Sequence, residues 1–312
     1  MFPTYSSPLL IQRPIQVDLI NVWHEPTPEA KENNAVIQLL RTRFDLRISD
    51  DPELIFYSRF RGNHKLHRRY DCLKFFVTQE CDRPRPRQAD LSLSFDPDSP
   101  INIRVPNWRF YFKNLETIFS PFDVDAEIAS KTDFCNFVYS NMKARQRIRF
   151  FHLLSRYKPV QSGGRFMNNI GGAVADKRAF QSTHKFSIAF ENESYPHYCT
   201  EKIVDAFAAR TVPIYLGDPY VTRDFNPQAF INGHDFKSLN ALVDYVKAVD
   251  QNDDLYRQYL SCPPFNDGLA RIQAIDDRLF GAFKNLIESP PQPRASRSLR
   301  NRVLRRVEQW KM

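Results

Sequence analysis

No run in the 312 residues approaches the roughly 20 consecutive apolar residues that a membrane-spanning helix requires. The first twenty residues are interrupted by Pro3, Pro8 and Pro14 and carry Arg13 and Asp18, too broken for the apolar centre of a secretion signal. A bitopic, Golgi-type topology is therefore not expected of this chain. Cysteine is scarce. Cys72, Cys81, Cys135, Cys199 and Cys262 are odd in number and contain no CxxC pair, which suggests neither a disulfide framework nor a zinc site and fits a reducing, cytoplasmic compartment. Net positive charge is small in the body of the chain, where acids nearly balance the Lys and Arg residues. The formal net charge is +8, but Arg294 to Met312 hold seven Arg/Lys against Glu308 alone, so this tail accounts for +6 and everything before it for +2. No internal repeat is apparent.

What is present is apolar material. Hydrophobic residues make up 42% and aromatics 13%, with 26 phenylalanines, enough for more than one packed core and unlike a disordered chain. Compact domains usually hold about 100 to 200 residues, so the length favours two. Ile15 to Trp23 reads as a strand, Val36, Leu39 and Leu40 mark a helix, and Leu54 to Tyr57 is a further strand, a βαβ rhythm. Leu73 to Val77, Leu91 to Phe95 and Ile101 to Val105 continue the series. A second series begins after Lys131, with strands at Phe134 to Tyr139, Phe186 to Phe190 and Val212 to Leu216 and helices at Ala144 to Tyr157 and Thr200 to Arg210. The expected architecture is α/β, with a Rossmann-like domain over residues 1–125, a second over 126–288, and a Pro-rich linker with a basic tail over 289–312.

The most informative stretch is Lys185 to Pro219, KFSIAFENESYPHYCTEKIVDAFAARTVPIYLGDP. It crowds polar groups into the joint between an apolar strand and a helix capped by Thr200. The amides and positive end of that helix attract phosphate, and Lys202 on its first turn adds a full charge. Taken alone, Glu201 and Lys202 could be an ordinary solvated first turn. The surrounding residues change that reading, because the segment closely resembles the donor-binding signature of the α1,3/4-fucosyltransferases, glycosyltransferase family 10. The matching elements are Phe190, Glu191 and Asn192, then Tyr198, Thr200, Glu201 and Lys202, then Pro213, Ile214 and Gly217. Asp224 to Phe236 is similar to the bacterial members that build Lewis-type antigens on lipopolysaccharide. Phe134 to Phe150 and Lys74 to Pro84 resemble further family blocks in the same order.

The resemblance implies a GT-B fold, two Rossmann-like domains across a cleft, and inverting transfer of fucose from GDP-fucose to a sugar hydroxyl without a metal or other cofactor. It implies that Arg147 and Lys202 pair with the donor diphosphate and that Asn192, Tyr198 and Glu201 hold the nucleoside and fucose. Glu80 then corresponds to the general base, and Glu201 can also stabilise oxocarbenium-like charge on the sugar. The chemistry needs these types: fixed cations stabilise departing GDP, and a carboxylate takes the acceptor's proton. Arg145 and Arg149 could replace Arg147, and Asp96 or Asp98 could replace Glu80. Asp123-Val124-Asp125 has DxD spacing but reads as linker. His184, His197 and Cys199 lack a further ligand at metal spacing, so no metal site is expected. Gly163, Gly164, Gly171 and Gly172, with Arg165, Asn168 and Asn169 between them, shape either a loop beside the nucleotide or a simple turn.

In the tail, Leu299, Val303, Val307 and Trp310 recur at helical spacing against an arginine-rich face. Such a helix suits an anionic membrane surface through residues 294–312, which would place the chain peripherally on the inner face of a bacterial cytoplasmic membrane beside a lipid-linked acceptor. The family implies an N-acetyllactosamine-type acceptor and attack through O3 of its N-acetylglucosamine; nucleic acid is not expected. The rivals are a transferase of another nucleotide sugar, an α1,4 or dual linkage, and a non-catalytic carbohydrate- or nucleic-acid-binding protein.

Overall fold

The computed structural model describes residues 8–22, 27–59, 65–80 and 82–291; the basic tail lies outside them. Two compact units are present among the described residues, one formed by those up to Phe110 together with 273–291 and one by Tyr111–Ile272.

The first unit contains β1 (Ile11–Ile20), α1 (Pro28–Glu32), α2 (Ala35–Arg41), β2 (Phe44–Ile48), β3 (Leu54–Tyr57), β4 (Leu73–Val77), β5 (Leu91–Ser94) and β6 (Ile103–Arg104). All six strands pair in parallel, in the order β2-β1-β3-β4-β5-β6. Strands covered on both faces should be apolar throughout rather than alternating, and β3 and β4 are buried at every position. Asn34 caps α2 by accepting from the Val36 amide, and the helix buries Val36, Ile37, Leu39 and Leu40.

The second unit holds α3 (Phe112–Ile118), α4 (Val124–Ala129), β7 (Asp133–Phe137), α5 (Arg145–Leu154), β8 (Val160–Ser162), α6 (Lys177–Ser182), β9 (His184–Phe190), α7 (Glu201–Ala208), β10 (Val212–Leu216), β11 (Ile231–Asn232), α8 (Leu239–Asp250) and α9 (Asp253–Ser261). Its five strands are also all parallel, ordered β11-β10-β9-β7-β8. From β7 the chain steps to β8 on one side, and from β9 it steps to β10 on the other. The carboxyl ends of β7 and β9 therefore flank a topological switch point, where open α/β sheets bind ligands.

The last helix, α10 (Leu269–Glu288), explains why the units differ from the sequence-based division. Ile275, Leu279, Phe283 and Leu286 recur on one buried face. The Phe283 ring lies 4.8 Å from Phe44, 6.0 Å from Phe56 and 6.1 Å from Phe75. Gln273 onward thus belongs with the first unit, not with residues 126–288. The other boundary falls at Phe110 rather than 125, because α3 packs on α7. Asp123-Val124-Asp125, read as linker, instead begins α4, with the Asp123 carboxylate accepting from the Asp125 and Ala126 amides.

Arg109 donates to Asp276 through Nε at 2.8 Å and Nη2 at 2.5 Å, and both residues are buried. Asp276→Ala takes a carboxylate away from the buried Arg109 guanidinium, so it is expected to destabilise the protein by about 3 to 5 kcal/mol. The paired change Arg109→Leu/Asp276→Leu should recover most of this loss. Urea midpoints of the three proteins check the expectation. No helix among the described residues is long and apolar enough to cross a membrane.

Candidate active site

At the switch point of the second unit lies a cavity of about 370 Å³, lined by Val138, Tyr139, Ser140 and Asn141 after β7, Gly164 after β8, Lys177 and Gln181 on α6, Ile188 and Asn192 from β9 and its following turn, and Glu201 and Lys202 on α7. Its rim is strongly polar, and its chemistry is organised by one residue that is not in the wall. Glu191 is 3% exposed. Its carboxylate accepts from the Thr200 amide at 2.7 Å, from Thr200 Oγ1 at 2.8 and 2.9 Å, and from Lys202 Nζ at 2.8 Å. Burial raises its pKa, against the pull of Lys202.

Thr200 occupies the N-cap of α7 as the sequence suggests, but its hydroxyl makes no capping bond. The hydroxyl is drawn to Glu191, so it satisfies none of the first-turn amides that a cap would take. Lys202 Nζ also reaches Thr200 Oγ1 at 2.7 Å and Glu201 Oε1 at 3.4 Å. Burial disfavours its charge, yet Glu191 and Glu201 outweigh burial and hold the lysine protonated, its pKa above the ordinary value. Burial likewise works against the Glu201 carboxylate, and Lys202 and Lys177 overcome it, leaving the group below its usual range. Tyr111 Oη lies 3.4 Å from Glu201 Oε2. The cavity wall therefore combines a fixed cation, a fixed carboxylate and the positive end of a helix.

The turn that carries this set is pinned at several points. Ser194 Oγ donates to Gly217 O at 2.7 Å and the His197 amide to Asp218 Oδ1 at 2.6 Å. Gly217 is required where it stands, since a Cβ there would fall 2.4 Å from Glu191 Cγ. Gly164 is needed for the same reason on the opposite wall, where a Cβ would lie 2.1 Å from Tyr139 O. Of the two readings of the glycine segment, Gly164 supports a loop at the cavity, whereas Gly171 and Gly172 have open space around them.

Arg147 is 1% exposed and does not line the cavity. Its guanidinium donates to Phe190 O at 3.1 Å, Asn192 Oδ1 at 3.2 Å and Asn141 O at 3.0 Å, and stacks 3.7 Å above the Tyr139 ring. It ties together the two segments that form the wall after β7 and β9. Tyr139 helps from below, with Oη donating to Ile188 O at 2.7 Å. Arg145 and Arg149 are exposed and line a separate surface groove, which separates them from the role considered for Arg147. Tyr198 is buried and is likewise absent from the wall. Asn192, Glu201 and Lys202 are the expected donor residues that the cavity brings together.

Glu80 belongs to the first unit. It follows β4 in a turn where its amide donates to Thr78 Oγ1 at 3.1 Å and its carbonyl accepts from that hydroxyl at 3.1 Å; its side chain is half-buried. The alternative Asp98 accepts from the Arg104 amide at 2.7 Å, and Asp96 lies 3.7 Å from the Arg83 guanidinium. His184 Nδ1 lies 2.9 Å from Phe180 O, and His197 stacks on Tyr220. Among the described residues no group of three or more His, Cys, Asp or Glu side chains has metal-binding geometry.

Sequence reasoning assigned no role to Glu191, Lys177, Tyr139 or Tyr111. Glu191 was legible as part of the Phe-Glu-Asn triplet at a strand end. Lys177, which ion-pairs with Asp205 in the cavity wall, carried no local signal.

Comparison with known proteins identifies the family and the fold. The C-terminal domain of glycosyltransferase family 10 (fucosyltransferase) matches residues 128–263, and the α-(1,3)-fucosyltransferase FucT N-terminal domain matches residues 17–111. The chain is 27% identical to α-(1,3)-fucosyltransferase FucT of Helicobacter pylori over 318 residues, covering 88% of this chain and 66% of that protein. It is 33% identical over 181 residues to 4-galactosyl-N-acetylglucosaminide 3-α-L-fucosyltransferase 9 of Rattus norvegicus, covering 55% of this chain and 46% of the relative. The chain thus spans less than two thirds of the length of these curated relatives. A crystal structure of α1,3-fucosyltransferase with GDP-fucose superposes with a TM-score of 0.71 at 26% identity, covering 88% of this chain and 91% of that one. The fold is GT-B, and the chain belongs to glycosyltransferase family 10, the fucosyltransferases.

Proposed function

We propose that this chain is an inverting α1,3-fucosyltransferase that moves L-fucose from GDP-β-L-fucose to O3 of N-acetylglucosamine in an N-acetyllactosamine-type glycan. The observation that carries the reading is the cavity at the second switch point, where Lys202, Glu201 and Asn192 meet the uncapped start of α7 in a family-10 chain. Negative charge grows on the diphosphate as GDP departs. Lys202, kept protonated by Glu191, and Lys177 offer positive charge beside the α7 amides, so the protein's own groups can stabilise GDP without a metal. Arg147 contributes by bracing Asn192 and Asn141 and by its buried charge. Glu201 faces the sugar, where its carboxylate can balance oxocarbenium-like charge, and Tyr198 shapes the nucleoside end from behind the wall. Glu80 takes the proton from the acceptor hydroxyl.

This reading places the enzyme in the cytoplasm, peripheral to the inner face of a bacterial membrane, with a lipid-linked glycan as acceptor and no nucleic acid. Release of GDP from GDP-fucose tests it, measured with and without N-acetyllactosamine and in EDTA. Acceptor-dependent release that EDTA leaves unchanged is expected. Release that EDTA abolishes and magnesium restores would overturn the metal-independent mechanism, and absence of GDP binding would overturn the donor assignment.

A further inference from the structure

Arg145, Arg149, His152 and Arg156 succeed one another at four-, three- and four-residue spacing along α5 and the turn after it, which places them on one side of the helix. All four are exposed. They rim an open groove of about 640 Å³ whose floor includes Ile148 and Leu153 and whose far side includes Asn240 at the start of α8. The helix contains no acidic residue, and among the described residues no carboxylate pairs with these three arginines. Arg257 and Arg271 of the second unit, by contrast, pair with Asp125 and Asp224. Immediately before α5, Met142 is 69% exposed, beside exposed Lys143.

We propose that this face docks the protein on an anionic phospholipid surface. Guanidinium groups match phosphate with paired donors, each basic residue near such a surface adds attraction, and the apolar floor with Met142 meets the interfacial layer that a purely charged patch would leave unfilled. A nucleic acid would fit less well, because single strands are held by aromatic stacking platforms and the groove residues include no Phe, Tyr or Trp. The contact is distinct from residues 294–312. Asn141, in the cavity wall, directly precedes Met142, so docking here would present the donor cavity to a sugar carried on lipid.

The test uses the full chain and co-sedimentation with phosphatidylcholine vesicles, with and without phosphatidylglycerol, at physiological salt. Arg145→Gln/Arg149→Gln/Arg156→Gln is compared with Lys113→Gln/Lys237→Gln/Arg257→Gln, which removes the same charge from other exposed positions. The first triple should lose at least about tenfold in partition to anionic vesicles, the second much less, and Met142→Ser should weaken binding further. Equal losses in the two triples would reduce the effect to net charge and overturn the proposal. So would unchanged sedimentation, or a loss seen with poly(U) RNA and not with vesicles. All six positions are exposed, and unchanged thermal midpoints exclude misfolding.

Discussion

Glu80→Gln is expected to reduce acceptor-dependent GDP release by about 10² to 10⁴-fold while leaving GDP affinity unchanged, the range typical of losing a positioned general base. The amide keeps the shape of the side chain, and the turn that carries Glu80 is held by backbone groups and Thr78, so the change acts on the carboxylate and not on the turn. Turnover should fall in kcat more than in KM, and isothermal titration with GDP should match the unaltered protein. Near-normal turnover would remove Glu80 as the base. Asp96→Asn and Asp98→Asn serve as comparisons and should leave turnover near normal.

Lys202→Met is expected to cost about 10² to 10³-fold in turnover, the usual loss of one preorganised charge contact at a leaving group. It should also destabilise the fold, because Glu191 would then be buried with no cation against it. Adding Glu191→Gln separates the two effects. The double variant should regain stability without regaining turnover, and thermal midpoints with GDP-release rates read this directly. The pH dependence has a definite sign. An unpaired buried Glu191 has a folded-state pKa raised above its unfolded value, so it holds its proton better when folded. Its penalty is then full at neutral pH and shrinks as pH falls toward the carboxylate range. A Lys202→Met deficit that grew on acidification would contradict the assigned role of Glu191.

Much of the architecture was legible because fully buried parallel strands are written as short apolar runs. Leu54 to Tyr57, Leu73 to Val77 and Val212 to Leu216 appear as read. Phe44–Ile48 and Val160–Ser162 did not, because the first is an edge strand with partly exposed positions and the second has three residues. That Asn192, Glu201 and Lys202 share one cavity wall was legible because the motif sits where a strand end meets a helix start. The burial of Arg147 could not. A run of alternating cations reads as a solvated face, and only the fold shows that Arg147 turns inward over Tyr139 while Arg145 and Arg149 turn out. Lys177 was invisible for a similar reason, since its neighbours Asp205 and Glu201 lie more than twenty residues away in sequence.

The phenylalanines of α10 also set an order of events during synthesis. The second unit is continuous from Tyr111 to Ile272 and can bury its core once that stretch has left the ribosome. The earlier strands cannot, because Phe44, Phe56 and Phe75 await Phe283. The N-terminal sheet is thus made first and finished last. During the interval its aromatic face remains open to chaperones and to neighbouring nascent chains, so truncation before residue 273 should yield an aggregating N-terminal half even where the second half folds.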